Sequence, residues 1–386
     1  MHRIFAIAVA VLLAMPARAD VSIPIVLLQQ EHERPPVLSN LDPVPNDETV
    51  AGIELGLKDN ITTGRFLGLD YDLEIHQVGL GHDPIATARL ALGHSQIVIL
   101  DAPASVLTSI ADLPEAQNAL LINATAPDMS LRRGDCRANL LHTMPSLAMR
   151  SDALMQFARA KRWDKLSLIE GSYPVDQAFA DALRASAAKF GMKIAASKTW
   201  AFDADMRRNA AQEVPLFTQE LGDYDLLLIA DETHEFGRYI AYNTWRPRPV
   251  AGSEGLVPAA WGPAVEQWGA AQLQSRFEAA TGREMRPRDY AGWAAIRSIG
   301  EAVTRTNSAD PKVLRSFILS DQFELAGFKG RALSFRAWNG QMRQPIPLLT
   351  DRAMVAQAPL PGYLHQRSEL DTLGLDKPES SCTAFD

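Results

Sequence analysis

The residues that could carry chemistry are polar or aromatic side chains that follow apolar, strand-like segments of the chain. They are Gln30, His32, Asp101, Thr125, Tyr173, Trp200, Asp231 and Trp261. Ligands of open parallel sheets bind beyond the carboxyl ends of the strands, so these positions predict a binding edge. Several lead into a predicted helix N-terminus, where free N–H groups and the helix dipole favour a carboxylate. The pattern indicates noncovalent capture of a small anionic molecule, or else ordinary caps and turns.

Motifs of catalysis and metal binding are missing. The sequence contains no GxSxG, HExxH or GxxxxGK[ST] motif, and Pro84 stands where a dinucleotide-binding fingerprint beginning at Gly79 requires its third glycine. The 2 cysteines and 8 histidines form no zinc-ligand pattern. We therefore expect no catalytic residue, no metal and no catalytic cofactor, which argues against an enzyme.

Arginine and tryptophan are concentrated in two polar breaks of the pattern, residues 126–145 and 245–249. Five of them are candidate ligand-binding residues: Arg132, Arg133, Trp245, Arg246 and Arg248. Arginine binds carboxylates through paired hydrogen bonds and stacks on flat rings, so these residues suit a planar polyanion. The alternative interpretation is that the arginines are solvated charges between domains and that tryptophans pack in the core.

Composition limits the class of protein and its partners. The chain has 386 residues, 47% of them hydrophobic and 22% charged, which is enough for two or three domains with apolar cores. The formal net charge is −8, so binding to nucleic acid or to an anionic membrane surface is not expected.

The first nineteen residues have the pattern of a secretory signal. Arg3 precedes an apolar run over residues 4–15, and Ala17-Arg18-Ala19 is a cleavage box. The mature protein is then expected to begin at Asp20 and to function outside the inner membrane. The apolar run is shorter than the roughly 20 residues that a membrane-spanning helix needs.

Short apolar runs alternate with segments of helical period, which predicts an α/β fold with parallel strands. The predicted strands are residues 23–28, 71–78, 96–100, 119–124, 165–169, 193–200, 225–230 and 249–257. Amphipathic helices are predicted to end at Gly191 and Gly282, and Asp310 is a predicted N-cap. Asn339-Gly340 predicts a hairpin within residues 332–349.

The two polar breaks and a third near residues 326–330 are interpreted as crossings between two lobes. The first lobe is expected to comprise residues 20–126 and 250–327, the second residues 127–249 and 328–365, and the C-terminal tail residues 366–386. A single (β/α)₈ barrel would also fit eight alternating strands, but it would not explain the breaks. In an oxidising compartment Cys136 and Cys382 either pair, which ties the tail to the first crossing, or stay separate thiols.

This organisation resembles that of the periplasmic solute-binding proteins of ABC importers, of the branched-chain amino-acid-binding type. The resemblance covers nearly the whole chain after the signal. It implies a type I periplasmic-binding-protein fold with two doubly wound parallel-sheet lobes, a three-segment hinge and closure on a small molecule. It also implies a periplasmic monomer whose partner is an ABC permease of the inner membrane.

Four strings are similar to one branch of that family, which is associated with pyrroloquinoline quinone-dependent alcohol oxidation. They are residues 136–142 (CRANLLH), 245–252 (WRPRPVAG), 266–270 (EQWGA) and 335–341 (FRAWNGQ). The branch implies pyrroloquinoline quinone as the bound ligand, whereas the long polar segment from Gln29 to Pro36 departs from the amino-acid binders. The alternatives are a cofactor chaperone or a sensory protein for a quinoprotein dehydrogenase, and a binder of another solute.

Overall fold

The computed structural model describes residues 21–31, 43–200 and 206–386 of the chain, with the side chains of residues 206–208 left out. The signal-like residues 1–19 lie outside this part, as do the candidate binding residue His32 and the segment 201–205. Among the described residues, no helix combines the length and apolarity that crossing a membrane requires.

The first half of the chain forms a five-stranded parallel sheet with strand order β2-β1-β3-β4-β5. Its elements are β1 (Val21–Gln30), α1 (Val50–Leu67), β2 (Leu69–Val78), α2 (Pro84–His94), β3 (Ile97–Asp101), α3 (Ala104–Ala111), β4 (Leu120–Asn123) and β5 (Leu140–His142). The central strands β3 and β4 are apolar along nearly their whole length because helices cover both of their faces.

The next part of the chain forms a second parallel sheet, of four strands in the order β7-β6-β8-β9. Its elements are α4 (Leu147–Ala160), β6 (Lys165–Glu170), α5 (Pro174–Lys189), β7 (Lys193–Thr199), α6 (Met206–Gln219), β8 (Leu226–Ala230), α7 (Gly237–Ile240) and β9 (Val250–Gly252). Helix α5 ends before Gly191, as the sequence predicts, because glycine adopts the left-handed conformation there (φ 69°).

The remaining elements complete both lobes. They are β10 (Val257–Pro258), α8 (Ala270–Thr281), α9 (Pro287–Thr306), α10 (Pro311–Ile318), β11 (Leu325–Ala326), β12 (Ala332–Phe335), β13 (Met342–Arg343), β14 (Ile346–Thr350) and β15 (Ala353–Ala358). Asp310 caps α10 by accepting from the Lys312 N–H at 2.8 Å, as predicted. Strands β12 and β13 form the predicted antiparallel hairpin around Gly340.

The core of the first lobe depends on a close approach of α1 and α9. A Cβ atom at Gly52 would lie 1.9 Å from the Asp289 carbonyl oxygen, so only glycine permits this contact. Trp293 of α9 is fully buried and stacks near Tyr290, with ring centroids 5.6 Å apart. These contacts hold α8 and α9, which come late in the chain, against the first sheet.

The chain passes between the two lobes three times, at residues 143–146, 257–259 and 343–345. The passages lie side by side. Gln344 Nε2 donates to the Thr143 carbonyl oxygen (2.7 Å), and the Ala259 N–H donates to the Pro347 carbonyl oxygen (3.1 Å). This arrangement is the three-segment hinge that the sequence predicts.

All three crossings differ in position from the sequence-based expectation. The break at 126–145 contains β5, which pairs with β4, so the first passage follows His142. The break at 245–249 precedes β9, which belongs to the second sheet, and the chain returns later. Near residues 326–330 the chain stays with the first core through Phe335. Polar, proline-rich segments occur in surface loops as well as at crossings, so the sequence pattern alone misplaces the crossings. The residue limits of the lobes stay a prediction.

The C-terminal tail is anchored to the hinge region. The sulfur atoms of Cys136 and Cys382 lie 2.07 Å apart, with their Cα atoms 5.7 Å apart, which is disulfide geometry. The Asp371 carboxylate is buried between two arginines and accepts from Arg336 Nε (3.0 Å) and Arg343 Nε (2.8 Å). The tail is therefore tied to the segment before the first passage and to the segment that leads into the third.

Candidate functional site

In each parallel sheet the strand order reverses at one point, and ligands of such sheets bind beyond the carboxyl ends there. The reversal lies between β1 and β3 in the first sheet and between β6 and β8 in the second. Gln29 of β1 is directly opposite Asp101 of β3, and its Nε2 donates to Asp101 Oδ2 at 3.0 Å. Gln29 Nε2 also lies 3.0 Å from the Glu48 carbonyl oxygen, so the amide holds this edge together.

The loop after β4 is held by the side chain of Asn123. Its Oδ1 accepts from the backbone N–H groups of Thr125 (3.0 Å) and Ala126 (2.8 Å). This hydrogen bonding fixes the position of Thr125, a residue only 4% exposed. The hydroxyl of Thr125 has no hydrogen-bond partner in the described part of the chain.

Two buried carboxylates organise the edge of the second sheet. Asp231 accepts from the backbone N–H groups of Glu235 (3.0 Å), Phe236 (2.9 Å) and Gly237 (2.7 Å), and so fixes the loop after β8. Asp176, in the first turn of α5, accepts from the Glu232 N–H at 2.7 Å through Oδ1. Its Oδ2 is buried and meets no partner among the described residues. Asp176 thus links the first turn of α5 to the loop after β8.

A partly buried ion pair joins α4 to the same loop. Arg150 Nη1 and Nη2 lie 2.6 and 2.9 Å from the two carboxylate oxygens of Glu232, and Arg150 Nε donates to the Pro258 carbonyl oxygen at 3.1 Å. Burial by itself raises the pKa of Glu232, but the Arg150 guanidinium outweighs burial, and the pKa lies below its usual value. Glu232 is therefore ionised at neutral pH, and its charge is balanced by Arg150 of the same lobe.

Five of the predicted binding residues lie at or shortly beyond the carboxyl ends of strands in the structure. They are Gln30, Asp101, Thr125, Tyr173 and Asp231. Tyr173 is the residue before α5 and is 44% exposed. A hydrogen bond with Glu235 and the charge of that carboxylate raise the pKa of the Tyr173 hydroxyl. The predicted edge is thus partly assembled, with Tyr173 its exposed aromatic side chain.

Two predicted tryptophans belong to cores instead. Trp261 is 1% exposed, stacks on Tyr290 with ring centroids 4.8 Å apart, and donates from Nε1 to Gln274 Oε1 at 2.9 Å. Trp200 is buried against Phe217 and Phe236. Both rings are largely enclosed by neighbouring protein atoms, so neither is an exposed stacking face at the predicted edge.

Of the predicted arginines, two lie in the loop after β4 and two precede β9. Arg132 is fully buried, and its guanidinium donates to Gln341 Oε1 (2.8 Å) and to backbone carbonyl oxygens that include that of Met144 (3.0 Å). Arg133 is exposed beyond the short helical turn at Ser130–Arg132. Trp245, Arg246 and Arg248 precede β9 and so lie at the amino edge of the second sheet, opposite the predicted ligand edge. Arg246 contacts Asp223 there at 3.4 Å.

Sequence analysis missed the residues that hold the edge in shape, chiefly Gln29, Arg150, Asp176 and Glu232. Asp176 looks like a helix cap in the sequence, and its partner loop lies more than fifty residues away. Glu232 follows a predicted site residue directly, so proximity to Asp231 could have identified it. No signal in the sequence links Arg150 to Glu232. The described residues bring together no group of three His, Cys, Asp or Glu side chains suited to a metal.

Asp176→Asn is expected to raise the Tm at pH 7.5 and to leave it unchanged at pH 4. Burial, and then the nearby Asp231 charge, raise the pKa of Asp176 from 3.8 to about 6. Because the pKa of Asp176 is higher in the folded than in the unfolded protein, ionisation of this carboxyl group lowers the free energy of unfolding. This loss of stability grows as the pH rises from 3.8 and is complete above pH 6. Asparagine keeps the Oδ1 acceptor and removes the charge. Thermal unfolding at both pH values, with exposed Asp181→Asn as control, measures the effect; a lower Tm at pH 7.5 would contradict it.

Comparison by sequence finds no matching family model and no matching curated protein. Solved structures do match. A branched-chain amino-acid ABC transporter periplasmic ligand-binding protein from Burkholderia xenovorans LB400 has a TM-score of 0.71 at 15% identity, covering 95% of this chain and 100% of that one. The leucine-, isoleucine-, valine-, threonine- and alanine-binding protein from Brucella ovis, in a closed conformation, has a TM-score of 0.65 at 14% identity, covering 84% and 88%.

A third matching structure is an ABC transporter solute-binding protein from R. palustris in complex with benzoate. Its TM-score is 0.64 at 13% identity, and the match covers 94% of this chain and 99% of that one. At such identities the likeness concerns the fold. The chain therefore has the α/β fold of the type I periplasmic-binding proteins.

Proposed function

We propose that this protein is the periplasmic solute-binding component of an ABC transporter. In this proposal it captures a small molecule between its two lobes and presents it unchanged to a permease of the inner membrane. The observation that carries the proposal is the arrangement of two parallel sheets, each with polar loops at its strand-order reversal, joined by three adjacent passages. The matched structures, whose names describe transporter binding proteins, support it.

Lobe closure is the physical basis of this function. A solute that contacts both edges binds the closed state more tightly than the open state, and that difference in affinity drives closure. Each edge is held rigidly within its own lobe, by Gln29 and Asp101 in the first and by Asp231 in the second. The hinge passages are then the segments that can change conformation while both edges keep their shape.

Pyrroloquinoline quinone, the ligand suggested by the sequence resemblance, is the first compound to test. The N-termini of α3 and α5 follow the two carboxyl edges and would favour its carboxylates, and the exposed ring of Tyr173 would suit its flat ring system. Arg132 is buried and uses its guanidinium on protein acceptors, and Arg246 and Arg248 lie at the opposite edge, so these arginines do not support this ligand. The quinone is thus one candidate among small solutes.

Purified protein is expected to show a ligand-induced rise in Tm and to release the ligand unchanged. A ligand at 100 times its Kd adds about 2.7 kcal/mol to the free energy of unfolding, which corresponds to several degrees. Thermal unfolding with the quinone, branched-chain amino acids, benzoate and short amines measures the shift, and native mass spectrometry identifies retained ligand. Absence of a shift with every compound and of any retained ligand, or chemical conversion of a bound compound, would overturn the proposal.

A further inference from the structure

The first part of the C-terminal tail is bound to the second lobe. Leu373 is fully buried in the core formed by α4, α5, β6 and β8. The Gly374 N–H donates to Asp152 Oδ2 of α4 at 2.8 Å, and Lys189 Nζ, at the end of α5, donates to the Gly374 carbonyl oxygen at 2.8 Å. Both polar groups of the Gly374 backbone therefore bind side chains of the second lobe.

Lys189 is the centre of this attachment. Its ammonium group also donates to Asp152 Oδ2 (3.1 Å) and to Glu379 Oε2 (2.9 Å), so all three of its N–H groups have partners, and two of these partners belong to the tail. A Cβ atom at Gly374, where φ is 80°, would lie 2.7 Å from Met149 Cγ. The tail thus lies directly on α4 at this glycine.

Residues 380–386 are bound to the first lobe. Cys382 is joined by the disulfide to Cys136, in the loop between β4 and β5 of the first sheet. Asn139 of that loop donates to the Ala111 carbonyl oxygen at 3.0 Å, which fixes the loop on α3. Phe385 packs against the core of the first lobe. The tail therefore leaves the second lobe and reaches the first.

Residues 375–381 connect the two attachments, and local hydrogen bonds resist their extension. Asp376 Oδ1 accepts from the Lys377 N–H (2.7 Å), and Glu379 Oε2 accepts from the Asp376 N–H (3.0 Å). These hydrogen bonds form a capping box around the helical turn Lys377–Glu379. Extension of the connection would break this turn, so its length is set by the folded structure.

The tail runs beside the hinge. Asp371 accepts from Arg343 Nε at 2.8 Å, and Arg343 begins the third passage. Ser380 Oγ donates to the Arg132 carbonyl oxygen at 2.9 Å, and the Arg132 guanidinium donates to the Met144 carbonyl oxygen (3.0 Å) in the first passage. In a hinge closure the lobes turn about these passages, so any rotation moves the two attachments of the tail relative to each other.

We propose that residues 375–381 are a strap, a fourth connection between the lobes in the described part of the chain, which limits rotation at the hinge. The proposal rests on the proposed function only for its effect on solute binding. A strap that narrows the range of lobe orientations before a solute arrives lowers the conformational entropy lost on closure. Slack in the strap therefore widens that range and weakens solute binding without changing any residue of the cleft.

The test lengthens the strap and keeps both of its attachments. Four or eight Gly and Ser residues are inserted between Glu379 and Ser380, which lie on either side of the point where the tail changes lobes. The control carries the same eight residues between Asp351 and Arg352, in the exposed turn of the β14–β15 hairpin. The control insertion lies away from the tail, so it leaves the strap at its native length.

The readout is the distance between the lobes without any ligand. Spin labels on keto amino acids replace the exposed residues Leu90 of α2 and Asp181 of α5, so that no cysteine is added. Pulsed electron paramagnetic resonance then gives the distribution of label distances. We expect the eight-residue insertion to make this distribution about twofold wider than in the native protein, the four-residue insertion to have a smaller effect, and the control to have none.

The outcomes separate this inference from the proposed function. A distribution of native width in both strap insertions and in the double variant Cys136→Ser, Cys382→Ser, which releases the first-lobe attachment, would overturn the strap and leave the solute-binding function standing. Equal widening by the control insertion would also overturn the strap, because the effect would not depend on its length. Widening by the strap insertions alone, together with failure of every compound to bind, would overturn the proposed function and leave the strap standing.

Discussion

Asp371→Ala is expected to lower the free energy of unfolding by about 3–5 kcal/mol, the range seen when one partner of a buried ion pair is removed. The Asp371 carboxylate is completely buried between Arg336 and Arg343, and neither arginine has another carboxylate within ion-pair distance in the described structure. The variant leaves two guanidinium groups buried without a counter-charge. Burial already lowers the pKa of Arg336 against the opposing effect of Asp371.

Urea unfolding followed by far-UV circular dichroism measures this effect. A matched control is Glu369→Ala, two residues earlier in the same tail, whose ion pair with Arg331 is about 40% exposed. Exposed pairs contribute about 0–1 kcal/mol, so the control should differ little from the native protein. Equal losses in the two variants would show that the buried position of Asp371 has no special importance.

The double variant Cys136→Ser, Cys382→Ser is expected to be less stable than the oxidised protein by about 2–5 kcal/mol. The disulfide closes a loop with a sequence separation of 246 residues, so it removes much conformational freedom from the unfolded chain. In the folded state it also holds the tail where Ser380 Oγ donates to the Arg132 carbonyl oxygen at 2.9 Å. The free energies of unfolding of the oxidised protein and the variant, measured in urea, give the difference.

The control for this prediction is the reductant. Reduction should lower the stability of the native sequence to about that of the double variant and should not change the variant. An oxidised protein no more stable than the variant would contradict the prediction. A reductant effect on the variant would show that reduction acts elsewhere in the chain.

These two effects involve the same tail, which contacts both the region before the first passage and the segments that frame the third. Arg336 donates to the carbonyl oxygens of Leu370 (3.1 Å) and Leu375 (3.3 Å) in addition to Asp371. Lys189 of the second lobe donates to the Gly374 carbonyl oxygen at 2.8 Å. The tail thus joins the second lobe to the hinge, and its loss is expected to loosen both.

Local pattern was sufficient to predict the parallel strands other than β5, and many of their limits. The run at 226–229 is apolar throughout and forms β8, and α5 ends at its glycine. These features depend on neighbours in the chain, on the period of apolar residues and on backbone preferences. Residues that follow parallel strands share one edge of a sheet, which explains where Thr125 and Asp231 lie; a role of these residues in binding stays a prediction. The same rule, applied to residues that precede a strand, would have placed Arg246 and Arg248 at the opposite edge.

The failures concern contacts between distant parts of the chain. Trp261 stacks on Tyr290, and Arg132 donates a hydrogen bond to Gln341, 209 residues later. A tryptophan or arginine looks the same in the sequence whether it lies in a core or in a cleft. Its role depends on which residues surround it in the folded protein. The amino-acid order determined the α/β class, the helices and strands, and which polar groups follow the strands. Packing between elements far apart in the chain decided which of those groups stay at the edge, because burial and pairing depend on neighbours in space that local pattern does not specify.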